Sequence, residues 1–194
     1  SPKGGPPPLA MDWKSIFSPG DRIVAAVSGG GDSMLCALTL ADEASRLGIT
    51  LSMAHVNHHM TEVADADEQR VRDLAAKLGV ECEVLHLHDD NLRESEGAST
   101  SIEARLRDER LRLLKAAARR IGARAVALGH TATDRAETFL LMALRGSGPR
   151  GLGSMVPVLE VEPGMYIIRP LLHLERDEVI GQLSARGLEW SDDP

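Results

Sequence analysis

Five apolar residues, Ile23-Val-Ala-Ala-Val27, run straight into Ser28-Gly-Gly-Gly-Asp-Ser33 and then into a stretch whose apolar positions recur with helical spacing as far as Leu47. A buried strand that feeds a glycine-rich turn into a helix start gathers backbone N–H groups and the positive end of a helix dipole in one concave spot. Such a spot binds phosphate. Gly29, Gly30 and Gly31 let the main chain approach an anion without a Cβ in the way, and the hydroxyls of Ser28 and Ser33 read as neutral donors. Asp32 is the odd member, because a carboxylate beside phosphates repels them unless a divalent cation stands between. Its presence predicts Mg²⁺ held jointly with the pyrophosphate part of a nucleotide. The competing reading, a tight turn in which Asp32 merely caps the helix, uses fewer of these residues. Two other nucleotide motifs are excluded: GxGxxG would need glycine where Met34 stands, and no GK[ST] of a Walker A loop occurs.

From Asp21 onward short β-branched runs alternate with longer amphipathic ones, the pattern of a parallel sheet covered by helices. Strands are expected at 23–27, 50–55, 83–88 and 124–128, with Met165–Ile168 as a further candidate. Helices are expected at 33–47, 62–78, 101–121, 133–145 and 175–186. The right-handed crossover rule makes this a doubly wound α/β fold, with a ligand at the carboxyl ends of the strands. SPKGGPPPLA cannot form a regular element, so residues 1–20 are read as a flexible tail and 21–194 as one catalytic domain. A net charge of −7 argues against a protein that coats nucleic acid, though not against a local basic face. The longest apolar run, Phe139 to Leu144, is far short of the roughly 18 residues that span a bilayer, and a cytoplasmic protein without membrane contact is expected. The 2 cysteines, Cys36 and Cys82, are too far apart for a CxxC pair and read as buried apolar residues.

Charge is unevenly spread. Residues 100–124 carry eight bases against three acids, whereas 61–96 carry eleven acids against four bases. Most of the arginines suit a solvated helix face. Arg107 and Arg110, which share a face with Glu103 at helical spacing, can instead address an anion. A second constellation follows the fourth strand, where Gly129-His-Thr-Ala-Thr-Asp-Arg-Ala-Glu137 places His130, Asp134 and Glu137 at the sheet edge and on the next helix. Asp134 and Glu137 are three apart and so share a face; they meet the phosphate loop if the first and fourth strands are neighbours. Ordinary acidic capping of that helix is the alternative.

SGGGDS after an apolar strand resembles the PP-loop of the ATP pyrophosphatases, which cleave ATP between its α and β phosphates. Residues 129–155, GHTATDRAETFLLMALRGSGPRGLGSM, are similar to the signature GHxxDDQxETxLxRLxRGSGxxGLxxM of the tRNA(Ile)-lysidine synthetase family. Ser101, Glu103, Arg107 and Arg110, then Arg169-Pro-Leu-Leu172 and Trp190-Ser-Asp-Asp-Pro194, match further parts of that pattern. Departures occur at Thr133 and Arg135, which replace an aspartate and a glutamine, and at Val56-Asn-His-His-Met60, which lacks an arginine.

The resemblance implies ATP and Mg²⁺ as cofactors, and as partners L-lysine and an isoleucine tRNA with a CAU anticodon. The cytidine 2-carbonyl oxygen would attack the α-phosphate, and the lysine ε-amine would then displace AMP. It further implies Ser28 to Ser33, His55 and Gly129 at ATP, and Asp32, His130, Asp134 and Glu137 in catalysis, with Asp32 on Mg²⁺ and Asp134 and Glu137 on the lysine ammonium. Arg107, Arg110, Arg145 and Arg150 are assigned to phosphate or tRNA. The rivals are a tRNA thiolase, disfavoured by the lack of clustered cysteines, and a nucleotide- or tRNA-binding module without turnover, suggested by Thr133 and Arg135.

Overall fold

A computed structural model of the chain describes residues 12–59, 64–87, 102–144, 155–188 and 190. Among these residues six strands form one sheet: β1 (Arg22–Ala26), β2 (Thr50–Asn57), β3 (Glu81–His86), β4 (Ala125–Ala127), β5 (Val158–Glu162) and β6 (Met165–Ile168). Their order is β3-β2-β1-β4-β6-β5, with every pair parallel except β5 and β6. The expected doubly wound fold is therefore present, and β1 and β4 are indeed neighbours, in the register Ile23 to Ala125. The chain winds one way from β1 through β2 to β3 and the other way through β4, so the strand order reverses between β1 and β4, where such sheets open a crevice.

Alternation along the strands sorts the core into two layers. Ile23, Ala25 and Val27 face α1 (Gly31–Leu47), α2 (Ala64–Leu78) and α5 (Arg176–Ala185), burying Leu35, Leu40, Val71, Val179 and Leu183. Val24, Ala26, Ala54 and Val56 face the other way, onto Leu114 and Ala118 of α3 (Ile102–Arg120). A remaining helix, α4 (Ala132–Leu144), begins at the carboxyl end of β4. No helix among the described residues is long and apolar enough to cross a membrane.

Two expectations need correction. A tail reaching residue 20 is too long: Trp13–Ser15 form a 3-10 turn and Trp13, Ile16 and Phe17 are buried in the core with α1, so the apolar residues of this segment fold with the domain. The strand β5 was not foreseen. It alternates apolar and acidic residues as an edge strand with one wet face does, and the turn Pro163-Gly164, with Gly164 at φ +77°, returns the chain as β6. The arginines of 112–124 bear out the solvated-face reading: Arg112 pairs with Glu109, Lys115 and Arg119 with Glu162, Arg120 with Glu83 and Arg124 with Asp21.

Candidate active site

The phosphate loop starts where β1 ends. Gly29 has φ +102°, a conformation only glycine adopts at little cost, and a Cβ there would also lie 2.8 Å from the Asp67 Cβ. Ser33, buried on the first turn of α1, braces the loop. Its hydroxyl donates to the Gly30 carbonyl at 2.9 Å and accepts from the Ser28 N–H at 3.0 Å, with the Ser28 hydroxyl also 3.0 Å away. One O–H donor and two lone pairs are thereby all engaged. Ser33 was expected as a donor to phosphate, but within this loop its hydroxyl is spent on the backbone.

The loop's shape therefore depends on Ser33. Replacing Ser33 by Ala is expected to lower stability by about 1–3 kcal/mol, because the part-buried Ser28 N–H loses its acceptor. Urea denaturation reads this directly; an unchanged midpoint with weakened nucleotide binding would show that the hydroxyl serves the ligand instead.

A cavity of about 700 Å³ opens where β1 and β4 diverge. Ser28, Gly30, Gly31, Asp32 and Ser33 form one wall, and Gly129, His130, Asp134 and Glu137 another. Arg107 and Arg110 reach it from α3, so the structure brings the two sequence constellations and these two arginines together. Behind them Ala26, Val56, Leu87, Leu111, Leu114 and Leu128 make an apolar floor. Arg145 and Arg150 lie outside the described residues, as do the side chains of Ser101 and Glu103.

Gly129 explains how close the two walls are. A Cβ on it would lie 2.7 Å from the Ser33 Cα and 2.8 Å from the Asp32 carbonyl oxygen, so only glycine lets the strand exit touch the start of α1. At the head of α4, Asp134 and Thr131 form a reciprocal cap. The Asp134 Oδ2 accepts from the Thr131 N–H at 2.6 Å and from its hydroxyl at 2.9 Å, and the Asp134 N–H points back to that hydroxyl at 3.3 Å. Asp134 thus caps the helix and lines the cavity at once; Glu137, one turn on, is exposed at the mouth.

His55 is placed differently from the expectation. It shares strand parity with Met53, facing away from Val56; it is 3% exposed, and its Nδ1–H donates to the Val27 carbonyl at 2.8 Å. It pins β2 to the end of β1, burial lowers its pKa, and Val56 and His58 stand on the cavity wall in its place. His130 does line the cavity. Burial, and next the positive charge of Arg169, push its pKa down to about 4.

Arg169, Arg176 and Trp190 complete the cavity and were not singled out as site residues. Arg169 and Trp190 lie in short matched motifs, RPLL and WSDDP, which are the only signals that point to them. Arg176 carries none. It arrives because its N–H meets the hydroxyl of Thr133 at 3.4 Å, which joins the starts of α4 and α5.

The comparisons agree with this geometry. The sequence profile of the PP-loop domain family matches residues 9–194. The tRNA(Ile)-lysidine synthase of Symbiobacterium thermophilum is 37% identical over 174 residues, covering 89% of this chain and 35% of its own. That of Geobacter sulfurreducens is 38% identical over 179 residues, covering 92% of this chain and 37% of its own. The chain thus spans about a third of the length of these relatives. Among solved structures, the U34-tRNA thiolase NcsA from Methanococcus maripaludis superposes with TM-score 0.79 at 19% identity, over 93% of this chain and 62% of that one. The NH3-dependent NAD synthetase from Campylobacter jejuni gives 0.57 at 16% identity, over 93% and 76%. These two likenesses concern the fold. With the phosphate loop, the strand order and the family profile in agreement, the chain belongs to the PP-loop domain family.

Proposed function

We propose that this chain is the ATP-cleaving domain of a tRNA(Ile)-lysidine synthetase, which joins L-lysine to the 2-position of the first-anticodon cytidine of an isoleucine tRNA with a CAU anticodon. One observation carries the reading: a single cavity unites the phosphate loop of α1 with His130, Asp134 and Glu137 from the β4–α4 segment. The names of the curated relatives supply the substrate class.

The loop amides would cradle the ATP phosphates, and the apolar floor would take the adenine. The cytidine 2-carbonyl oxygen attacks the α-phosphorus, the bond to the β-phosphate oxygen breaks, and pyrophosphate leaves. The lysine ammonium gives one proton to a carboxylate, its ε-nitrogen then attacks cytidine C2, the C2–O bond breaks as AMP departs, and the nitrogen gives up a second proton. Arg107 and Arg110 reach the same cavity and are assigned to the phosphates or the tRNA backbone, with Arg145 and Arg150 assigned to the tRNA. Prearranged donors of this kind stabilise charge that develops on the phosphoryl oxygens.

Mg²⁺ fits one position. Among the described residues no group of three or more His, Cys, Asp or Glu side chains is arranged to hold an ion alone. Asp32, on the cavity wall beside the phosphate loop, is a single carboxylate suited to an ion shared with phosphate oxygens. Bound there, the ion neutralises phosphate charge.

Lysine poses a separate problem. Its ammonium, with a pKa near ~10.4, must lose a proton before attack, which costs roughly 4–5 kcal/mol at neutral pH. Because one oxygen of Asp134 serves the helix cap, Glu137 is assigned as the ammonium partner, with Asp134 beside it. Glu137→Gln is expected to raise the lysine concentration for half-maximal AMP release about 10- to 100-fold, the worth of a charge-assisted hydrogen bond. The ATP requirement should stay within about twofold; equal effects on both would remove the assignment.

The whole reading is tested by pyrophosphate release from ATP. About one pyrophosphate per enzyme is expected without lysine, where the adenylated tRNA stays in the site, and repeated turnover with it, up to one pyrophosphate per tRNA. Nucleotide binding without release would favour the inactive module, and a requirement for a sulfur donor would favour a thiolase. The cysteines do not favour the latter: Cys36 is fully buried, its pKa pushed up to about 12, and Cys82 sits on β3.

A further inference from the structure

Arg169 has no part in the scheme above, yet it occupies the cavity wall with its guanidinium aimed at two acceptors. It is the first residue beyond β6. The backbone bond from the Leu128 N–H to the Ile168 carbonyl, at 2.9 Å, carries the parallel pairing of β4 and β6 past their ends. This sets Arg169 beside His130. The Arg169 N–H donates to the Pro157 carbonyl at 2.8 Å, and Nη1 donates to the Val156 carbonyl at 2.8 Å. The first bond holds the main chain; the second orients the guanidinium, whose Nε–H points at the His130 Nδ1, 3.2 Å away.

The chemistry of the two groups allows only one proton arrangement. A guanidinium has five N–H donors and no acceptor, so the nitrogen it addresses must present a lone pair. A neutral imidazole carries one N–H. With Nδ1 accepting from Arg169, that N–H is on Nε2.

We propose that Arg169 is a positioning residue that sets His130 in its Nε2–H form, so that His130 serves this site as a hydrogen-bond donor and not as a proton acceptor. Burial and the adjacent guanidinium also keep the ring uncharged near neutral pH, which agrees with a ring that donates without being a cation. The kinetic consequence rests on the ATP-cleavage reading; the proton arrangement does not. In that reaction the Nε2–H addresses a phosphoryl or carbonyl oxygen, while the lysine protons pass to Asp134 and Glu137.

The inference is checked on the whole chain labelled with ¹⁵N-histidine. Long-range ¹H–¹⁵N correlation spectra distinguish a protonated ring nitrogen from one with a lone pair, and His130→Gln assigns the signals. At pH 7 His130 is expected to show a bare Nδ1 and a protonated Nε2. Arg169→Lys, which keeps a donor, should retain that pattern, whereas Arg169→Ala should give a mixture of both forms. Pyrophosphate release by Arg169→Ala should fall about 10- to 100-fold in kcat with KM for ATP within about threefold, and Arg169→Lys should recover most of the loss. A protonated Nδ1 in the unaltered protein overturns the proposal. So does an Arg169→Ala protein whose His130 pattern is unchanged while kcat falls, since Arg169 would then act through packing alone. Should Arg169→Ala fail to fold, the spectra of the unaltered protein and of Arg169→Lys decide. If the unaltered protein shows the expected pattern but releases no pyrophosphate, the function proposed for the cavity fails while the role of Arg169 in orienting His130 stands.

Discussion

Adding one methyl group at Gly129 is expected to cost about 3 kcal/mol, the upper end of what overpacking does, and to lower Tm by roughly 6–12 °C in a domain of this size. The new Cβ would meet the Ser33 Cα at 2.7 Å and the Ser33 nitrogen and Asp32 carbonyl at 2.8 Å, so backbone and not a side-chain tip obstructs it. The chain can relieve this only by moving the β4 exit away from α1, which separates His130 and Asp134 from the phosphate loop. Nucleotide affinity should therefore fall with stability. Gly181→Ala provides the contrast. It lies within α5 with nothing within 4 Å of the added carbon, and helix propensity alone predicts a gain of up to about 1 kcal/mol. Calorimetry of both variants makes the comparison. Equal melting temperatures would mean that the two walls of the cavity are not in contact.

Asp32→Asn is expected to reduce pyrophosphate release about a thousandfold, or about 4 kcal/mol at 1.36 kcal/mol per tenfold, the scale on which a bound cation stabilises phosphoryl charge. The amide has the size of the carboxylate but not its charge. Asp32 also sits in the first turn of α1, where an acid contributes about 0.3–1 kcal/mol through the helix dipole. Tm should therefore drop by only about 1–4 °C. Activity lost with the fold intact is the expected result, and raising Mg²⁺ should not restore it. Full activity in this variant would remove Asp32 from cation binding and leave it only its place in the first turn of α1.

Both predictions concern features that the amino-acid order already marks. The strand Arg22–Ala26, the turn and the start of α1 were legible because each depends on residues a few positions apart: an apolar run, glycines, then helical spacing. The same holds for Asp134 and Glu137 on one helix turn. β5 is not legible for a related reason, since the alternation of Leu159-Glu-Val-Glu162 is short and its meaning comes from pairing with β6 across Pro163-Gly164.

His55, Ser33 and Arg169 show where that legibility stops. A motif places a residue in a segment, but strand parity decides which layer its side chain enters, and parity sent His55 to the Val27 carbonyl and Val56 to the cavity. The Ser33 hydroxyl engages the Ser28 N–H and the Gly30 carbonyl, partners that only the folded turn brings within reach. Arg169 meets His130 across 39 residues of chain, through a pairing of β4 with β6 that no local pattern specifies. The sequence alone determined the family, the fold class and the glycine-rich turn after β1, because backbone conformation and apolar periodicity act over short distances along the chain. Tertiary structure alone decided which polar atoms face the cavity and which are consumed in building it, because hydrogen bonds between distant segments exist only once the sheet has set their register.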